Sequence, residues 1–307
     1  MMDKTEWKIL KEIADLEKTP MGAYNFRLNG ETDSRSSSAN IEVCARKDGK
    51  PGIDIFIKDG TKNESVHIPV VISQTGLTEV VYNDFYVGND CDVDIVAGCG
   101  IHNTGCETSQ HDGVHVFHVG KNSKVKYTER HYGEGPGTGE NIFNPRTEVY
   151  MDDGSSITME MTQIRGVDST IRDTIVEVGA GGECIINEKL LTDGCQTAES
   201  NVEIILKGDD STGRVVSRSV AQGTSVQLFR PCMTGKAKCF GHVQCDSIIM
   251  DEAKIKSIPA IDCQSVDAQL IHEAAIGRIA GDQILKLMTL GLTEEEAEEK
   301  ILEGFLN

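Results

Sequence analysis

Two short segments near the end of this 307-residue chain hold side chains of the types that bind metals. Cys245-Asp246-Ser247 places a thiol at the close of a β-type stretch. His272-Glu273-Ala274 places an imidazole beside a carboxylate, roughly one β-turn-β unit further on. Thiolate, imidazole and carboxylate are all good metal ligands, and no nucleophile–base–orienter order of the hydrolase kind surrounds them. A lone cysteine is most often a small buried hydrophobe, and a lone histidine a capping or packing residue. Any chemistry therefore rests on the two segments meeting in space. Another thiol, Cys99, follows a strand in Ala97-Gly98-Cys99-Gly100.

Other clusters carry less. His111, His115 and His118, with His102 and Cys106 upstream, have the look of a zinc site. Yet Gly113 to Val119 alternates as a strand, which sends His115 and His118 to opposite faces and away from a shared ion. The glycine-rich run from Gly133 to Gly139 is a weak phosphate cradle, because no helix start follows it. No GxxxxGK[ST] occurs, so the chain has no P-loop of its own.

The elements that must position these residues are mainly strands. From Ile41 to about Ile258 short alternating strands recur, joined by tight Gly/Asp/Asn turns, as in segments 86–96, 118–128, 150–160, 177–187 and 206–216. The turns return every 25–35 residues or so, the range of stacked repeats, in which each unit buries its apolar face only against its neighbours. A sandwich of antiparallel hairpins is the rival, but the self-similarity of the units favours a solenoid. Residues 3–17 read as an amphipathic helix that Pro20 and Gly22 end, and 29–40 as a polar loop. After Pro259 the period changes. Asp282 is placed as the N-cap of a helix through Leu290, with Gly291 in the left-handed position behind it. Thr293-x-x-Glu296 reads as a capping box opening a second helix, through Leu306.

Thirty basic against 49 acidic residues leave a net charge of −19, which argues against nucleic acid or an anionic membrane as partner. The N-terminus has no apolar core of signal length and no window is apolar enough to span a bilayer, so a cytoplasmic protein is expected. Ten cysteines include no CxxC pair, which removes the zinc-ribbon, thioredoxin and ferredoxin signatures.

In order along the chain, Gln244-Cys245-Asp246-Ser247, His272-Glu273-Ala274, Gly281-Asp282-Gln283 and Gly291-Leu292, then an acidic helix ending Gly304-Phe305, resemble the C-terminal core of the SufB/SufD family. These are scaffold proteins of the SUF iron–sulfur assembly system. The resemblance spans about 22–306 and is motif-specific in 239–306 and around Cys99. It implies a right-handed parallel β-helix, divided as an N-terminal helix (1–21), a solenoid core (22–262) and a helical domain for ATPase docking (263–307). It also implies a non-catalytic scaffold that builds a transient iron–sulfur cluster with a SufC-type ABC ATPase as a separate subunit. A sulfur donor feeds such a scaffold and apo-proteins receive its product.

By the same resemblance Cys245 and Glu273 match the cluster-building cysteine and glutamate. His272 matches a histidine that is functional in the SufD branch, where the motif reads His-Gly-Ala rather than His-Glu-Ala. A chain holding both residues suits a symmetric homodimer. Cys99 stands where family precedent puts a sulfur relay, although Gly100-Ile101-His102 follows it here instead of Thr-Ala-Pro. The rivals are a polymerising structural solenoid and a β-helix carbohydrate-active enzyme.

Overall fold

The computed structural model describes residues 2–163 and 165–306. Twenty-one strands form two sheets. The first runs, in spatial order, β2 (Glu31–Ser36), β1 (Ala23–Leu28), β5 (Lys62–Ile72), β7 (Asp92–His102), β9 (Lys124–Glu134), β12 (Ser156–Gln163), β14 (Glu183–Thr192), β16 (Ser211–Ala221), β18 (Cys239–Ile249) and β21 (Gln269–Gly277). The second runs β3 (Ile41–Ala45), β4 (Gly52–Ile57), β6 (Thr78–Val87), β8 (Ser109–Val119), the pair β10 (Asn141–Phe143) and β11 (Arg146–Met151), β13 (Ser169–Val178), β15 (Thr197–Leu206) and β17 (Val226–Gly235). It ends on the pair β19 (Lys254–Ser257) and β20 (Ala260–Cys263).

From β5 onward the chain alternates between the sheets, and every neighbouring pair within a sheet is parallel. This is a β-solenoid of about eight turns. The parallel pairing excludes the antiparallel sandwich.

In-register stacking turns the sequence repeat into columns. Ile95, Tyr127, Met159, Ile186, Val215, Val243 and His272 form one such column across successive rungs. Because side chains alternate between faces, these positions point between the sheets on every rung. Most of the interior is apolar and forms one continuous core from Ala23 to Cys245.

The self-similar turns have a physical cause. Gly60, Asp90, Asn122, Gly154, Gly181 and Asp210 take the left-handed conformation at one corner of six successive turns, which glycine, Asn and Asp tolerate best. Beside them Ser123, Ser155 and Ser211 donate to a turn carbonyl, tying each corner shut.

The two ends differ. At the N-terminal end the sheets turn back on themselves, β1 pairing antiparallel with β2 and β3 with β4. The predicted polar loop 29–40 thus contains a strand, β2, which pairing to β1 stabilises although its sequence is polar. Helix α1 (Lys4–Ala14) lies over β5, β7 and β9 and buries Ile9, Leu10 and Ile13. It stops earlier than expected, at Asp15 in the left-handed region, before Pro20 is reached. An unforeseen capping box starts it, Asp3 Oδ1 accepting from Glu6 N at 2.9 Å and Glu6 Oε2 accepting from Asp3 N at 2.8 Å.

At the other end, among the described residues, β21 and the β19–β20 pair have no further strand beyond them. Helices α2 (Gly281–Met288) and α3 (Glu294–Leu306) follow. The Thr293–Glu296 capping box forms in both directions, and Gly291 has φ 99° as expected. The expected Asp282 cap does not form. Ala280 is the N-cap, without a side-chain bond, and Asp282 lies inside the first turn. Helix α3 rests on β16 and buries Ala297 and Leu302, whereas α2 buries no residue.

Two expectations follow. A Cβ on Gly98 would lie 2.5 Å from the carbonyl oxygen of Ile13, so Gly98→Ala should displace α1 and cost about 1–3 kcal/mol. Urea unfolding should read that loss, and the same substitution in a chain lacking α1 should cost nothing.

The second expectation concerns His115, which is enclosed between Phe85 and Tyr127 and pairs Nδ1 with the Tyr127 hydroxyl at 2.7 Å. Burial pushes its pKa down to about 4. The unfolded chain takes up this proton near pH 6.5 and the folded one only near 4. Stability is therefore complete above 6.5 and is lost as pH falls toward 4, by about 3 kcal/mol at most. His115→Gln should flatten the urea midpoint against pH over that window, and an unchanged slope would refute this assignment.

Candidate functional site

Cys245 lies in the middle of β18 rather than at the close of a strand, and its side chain points between the sheets, 1% exposed. His272 and Glu273 belong to β21, the last strand of the same sheet. Register pairs Val243 with His272, Gln244 with Glu273 and Cys245 with Ala274. Alternation then separates the two candidates of the His-Glu pair. His272 faces the interior with Cys245, one rung on and two residues along. Glu273 faces outward, where its carboxylate is 3.5 Å from His242 Nε2. The structure thus puts Cys245 and His272 on the same interior face, at the open end of the solenoid, and leaves Glu273 on the other face of the sheet.

The interior is polar on the Cys245 side. Ser247 Oγ is 3.8 Å from Cys245 Sγ and 2.9 Å from Ser219 Oγ. Ser257, the last residue of β19, brings a further hydroxyl across from the opposite sheet. Burial raises the Cys245 pKa, and the Ser257 and Ser247 hydroxyls beside it offset part of the rise. Burial, followed by the neighbouring His242, lowers the His272 pKa. Two side-chain atoms here, His272 Nε2 and Ser257 Oγ, are shielded from solvent and close no hydrogen bond.

A soft thiol and an imidazole whose Nε2 closes no hydrogen bond make a donor set that suits iron. Among the described residues, no three His, Cys, Asp or Glu side chains converge as a complete metal site. This interior face supplies two.

Cys99 lies in the same sheet, five rungs back along β7, β9, β12, β14, β16 and β18, a distance of about 24 Å at ~4.8 Å per rung. It shares a column with His131, Gln163, Leu190, Ser219 and Ser247, beside the column Glu129, Met161, Glu188, Ser217 and Cys245. Between the thiols the interior is strongly polar. Arg172, from β13, donates to Glu129 Oε2 at 2.6 Å and to His131 Nδ1 at 3.3 Å. Glu188 accepts from Ser200 at 2.7 Å and Ser217 at 2.9 Å. Burial alone would raise the Glu129 carboxyl, but the Arg172 guanidinium and His131 outweigh it and hold it well below the usual carboxylate range. The Gln163 amide, 3% exposed, has neither its oxygen nor its nitrogen paired, and it lines a small enclosed cavity with Arg172, Glu188 and Ser200.

Cys99 itself is buried, and burial together with Glu129 and Glu79 pushes its pKa well above the ordinary thiol range. A reactive relay thiol wants the opposite, access and a depressed pKa.

Glu129 and His131 are residue types that usually face outward, yet alternation along β9 sets them on the interior face with Val125 and Tyr127; which side chains from other strands join them there depends on register. The histidine run also separates as alternation requires. His111 and His115 are interior and partnered by Glu79 and Tyr127, while His118 lies outside in a stack between Tyr86 and Tyr150.

Comparison with known proteins converges on one family. Residues 85–305 match the family model described as SUF system FeS cluster assembly, SufBD core domain. The iron-sulfur cluster assembly SufBD family protein of Methanocaldococcus jannaschii is 26% identical over 85% of this chain and 82% of its own length. That of Archaeoglobus fulgidus is 26% identical over 74% of this chain and 60% of its own length. The chloroplastic SufBD family protein of Arabidopsis thaliana is 26% identical over 65% of this chain and 37% of its own. The chain thus spans less than two thirds of the last two relatives. With a family model matched over most of its length, the chain belongs to the SufBD family of iron–sulfur cluster assembly components.

Proposed function

We propose that this chain is a non-catalytic scaffold on which a nascent iron–sulfur cluster is assembled at the open end of the solenoid and then released. The observation that carries the reading is the shared interior face. Cys245 and His272 face the same interior, one rung apart, next to strand edges that no further strand pairs among the described residues. Thiolate ligation holds such a cargo, and a site short of four thiolates lets it go. Glu273, on the outer face with His242, offers oxygen and nitrogen donors suited to capturing ferrous iron at the rim. Cys99 heads the column that ends at Ser247, beside the column that ends at Cys245, and each rung between the two thiols carries a polar side chain in one column or the other. A reducing cytosol would keep all ten cysteines as free thiols.

A second copy is the natural cover for the open rung. Unpaired parallel edges invite another strand. The N-terminal end turns back antiparallel under α1 and offers no matching parallel edge, so stacking end on end does not propagate. Open end to open end gives a closed two-fold dimer, which disfavours the filament reading.

An ATPase partner would have to come from outside, since the chain has no P-loop. Helix α2 exposes 62% of Leu285, and Leu290 just beyond it is 75% exposed. These leucines, with the glutamates opening α3, suit a helix-in-groove contact. None of the described helices is long and apolar enough to cross a membrane.

Cys245→Ser hardly changes volume, so it should fold yet lose iron and sulfide uptake on anaerobic reconstitution. Full uptake by that variant would sink the site assignment. Cys99→Ser should spare a chemically supplied cluster but lower the rate of donor-driven assembly tenfold or more. Leu285→Glu combined with Leu290→Glu should abolish co-purification with an ABC-type ATPase of the SUF system while leaving the β-sheet circular dichroism unchanged. Retained co-purification would exclude α2 as the docking site.

A further inference from the structure

Cys245 has two hydroxyl neighbours, and they are not equivalent. Ser247 is committed, since its Oγ pairs at 2.9 Å with Ser219 one rung back and reaches Cys245 Sγ only at 3.8 Å. Ser257 comes from the opposite sheet, in the interior column Arg172, Ser200, Phe229, Ser257. The next amide, of Ile258, donates to Phe229 O at 2.8 Å, so the backbone at Ser257 is pinned on the last rung. Its Oγ is shielded from solvent and closes no hydrogen bond, and β19 packs across the interior against β18, the strand that carries Cys245.

A buried hydroxyl without a partner is an exception that calls for a cause. A neutral thiol is a poor acceptor. A thiolate sulfur bound to metal carries far more negative charge and accepts well.

We propose that Ser257 is a positioning residue of the sulfur site, its hydroxyl donating a hydrogen bond to the Cys245 sulfur once that sulfur is metal-bound. The hydroxyl keeps its proton, and no covalent bond changes at Ser257. The assignment rests on the reading of Cys245 as the cargo-bearing thiol and adds what that reading lacks, a contribution from the second sheet. It also gives the short final strand β19 a purpose, since without it the site would have a thiol and an imidazole from one sheet only. Hydrogen bonds to ligating sulfur lower its donor strength and tune the centre it holds.

The test uses the full-length protein loaded anaerobically with cobalt(II), whose sulfur-to-metal charge-transfer band reports on the thiolate directly. Cys245→Ser should remove the band. Ser257→Ala should keep its intensity but move it to longer wavelength, because a thiolate stripped of its hydrogen bond gives up charge more easily, and Ser257→Thr should return it. A Cys245-dependent band that stays in place in Ser257→Ala overturns this inference alone. A band lost in Ser257→Ala and not restored by Ser257→Thr also overturns it, since Ser257 would then serve only to hold β19. No Cys245-dependent band at all overturns the cargo reading, and the inference with it.

Discussion

A stack of parallel strands has to end, and how it ends governs this molecule. Each interior rung is satisfied twice, by the strand before it and the strand after it, both in backbone hydrogen bonds and in side-chain packing. The terminal rung is satisfied once. At the N-terminal end the chain solves the problem internally, with antiparallel returns at β1–β2 and β3–β4 and a helix laid over the first rungs. At the C-terminal end it leaves the problem open, and there the thiol, the imidazole and two unpaired polar atoms collect. An edge that would be a liability elsewhere is the place where the proposed cargo would be bound.

The same stacking dictates what lies behind that edge. A column repeats its environment every rung, so one buried charge tends to require another. Arg172, Glu129, His131 and Glu188 form such a group, shielded on one side by the main apolar core and on the other by Val70, Ile72, Ile101 and Phe143. Charges buried in this way contribute little net stability, and a purely apolar lumen would serve the fold at least as well. They lie between two thiols about 24 Å apart, the two ends of the proposed sulfur path.

Much of this was legible in the sequence, and the reasons differ from element to element. The solenoid was readable because its corners demand left-handed residues, and Gly, Asn and Asp recur at them with a nearly fixed period. The second terminal helix announced its start through Thr293 and Glu296, a purely local signal. Asp282 misled because a good capping residue type lay two residues past the actual N-cap, Ala280. The motif residues Cys245 and His272 were found by their resemblance to a family. That His272 and Glu273 face opposite ways follows from alternation, but only once their segment is known to be a strand rather than the beginning of the helical end. Arg172, Glu188 and Ser257 were beyond reach, because which residues share a chamber depends on register between strands far apart in sequence.

The central claim is that the open rung is a half-site, finished by a second copy when the cluster is built. Native mass spectrometry of the anaerobically reconstituted protein addresses this directly. The account predicts that iron and sulfide ride on the two-chain species, with the single chain bare. A single chain carrying a complete cluster, at protein concentrations where the dimer has dissociated, would contradict it.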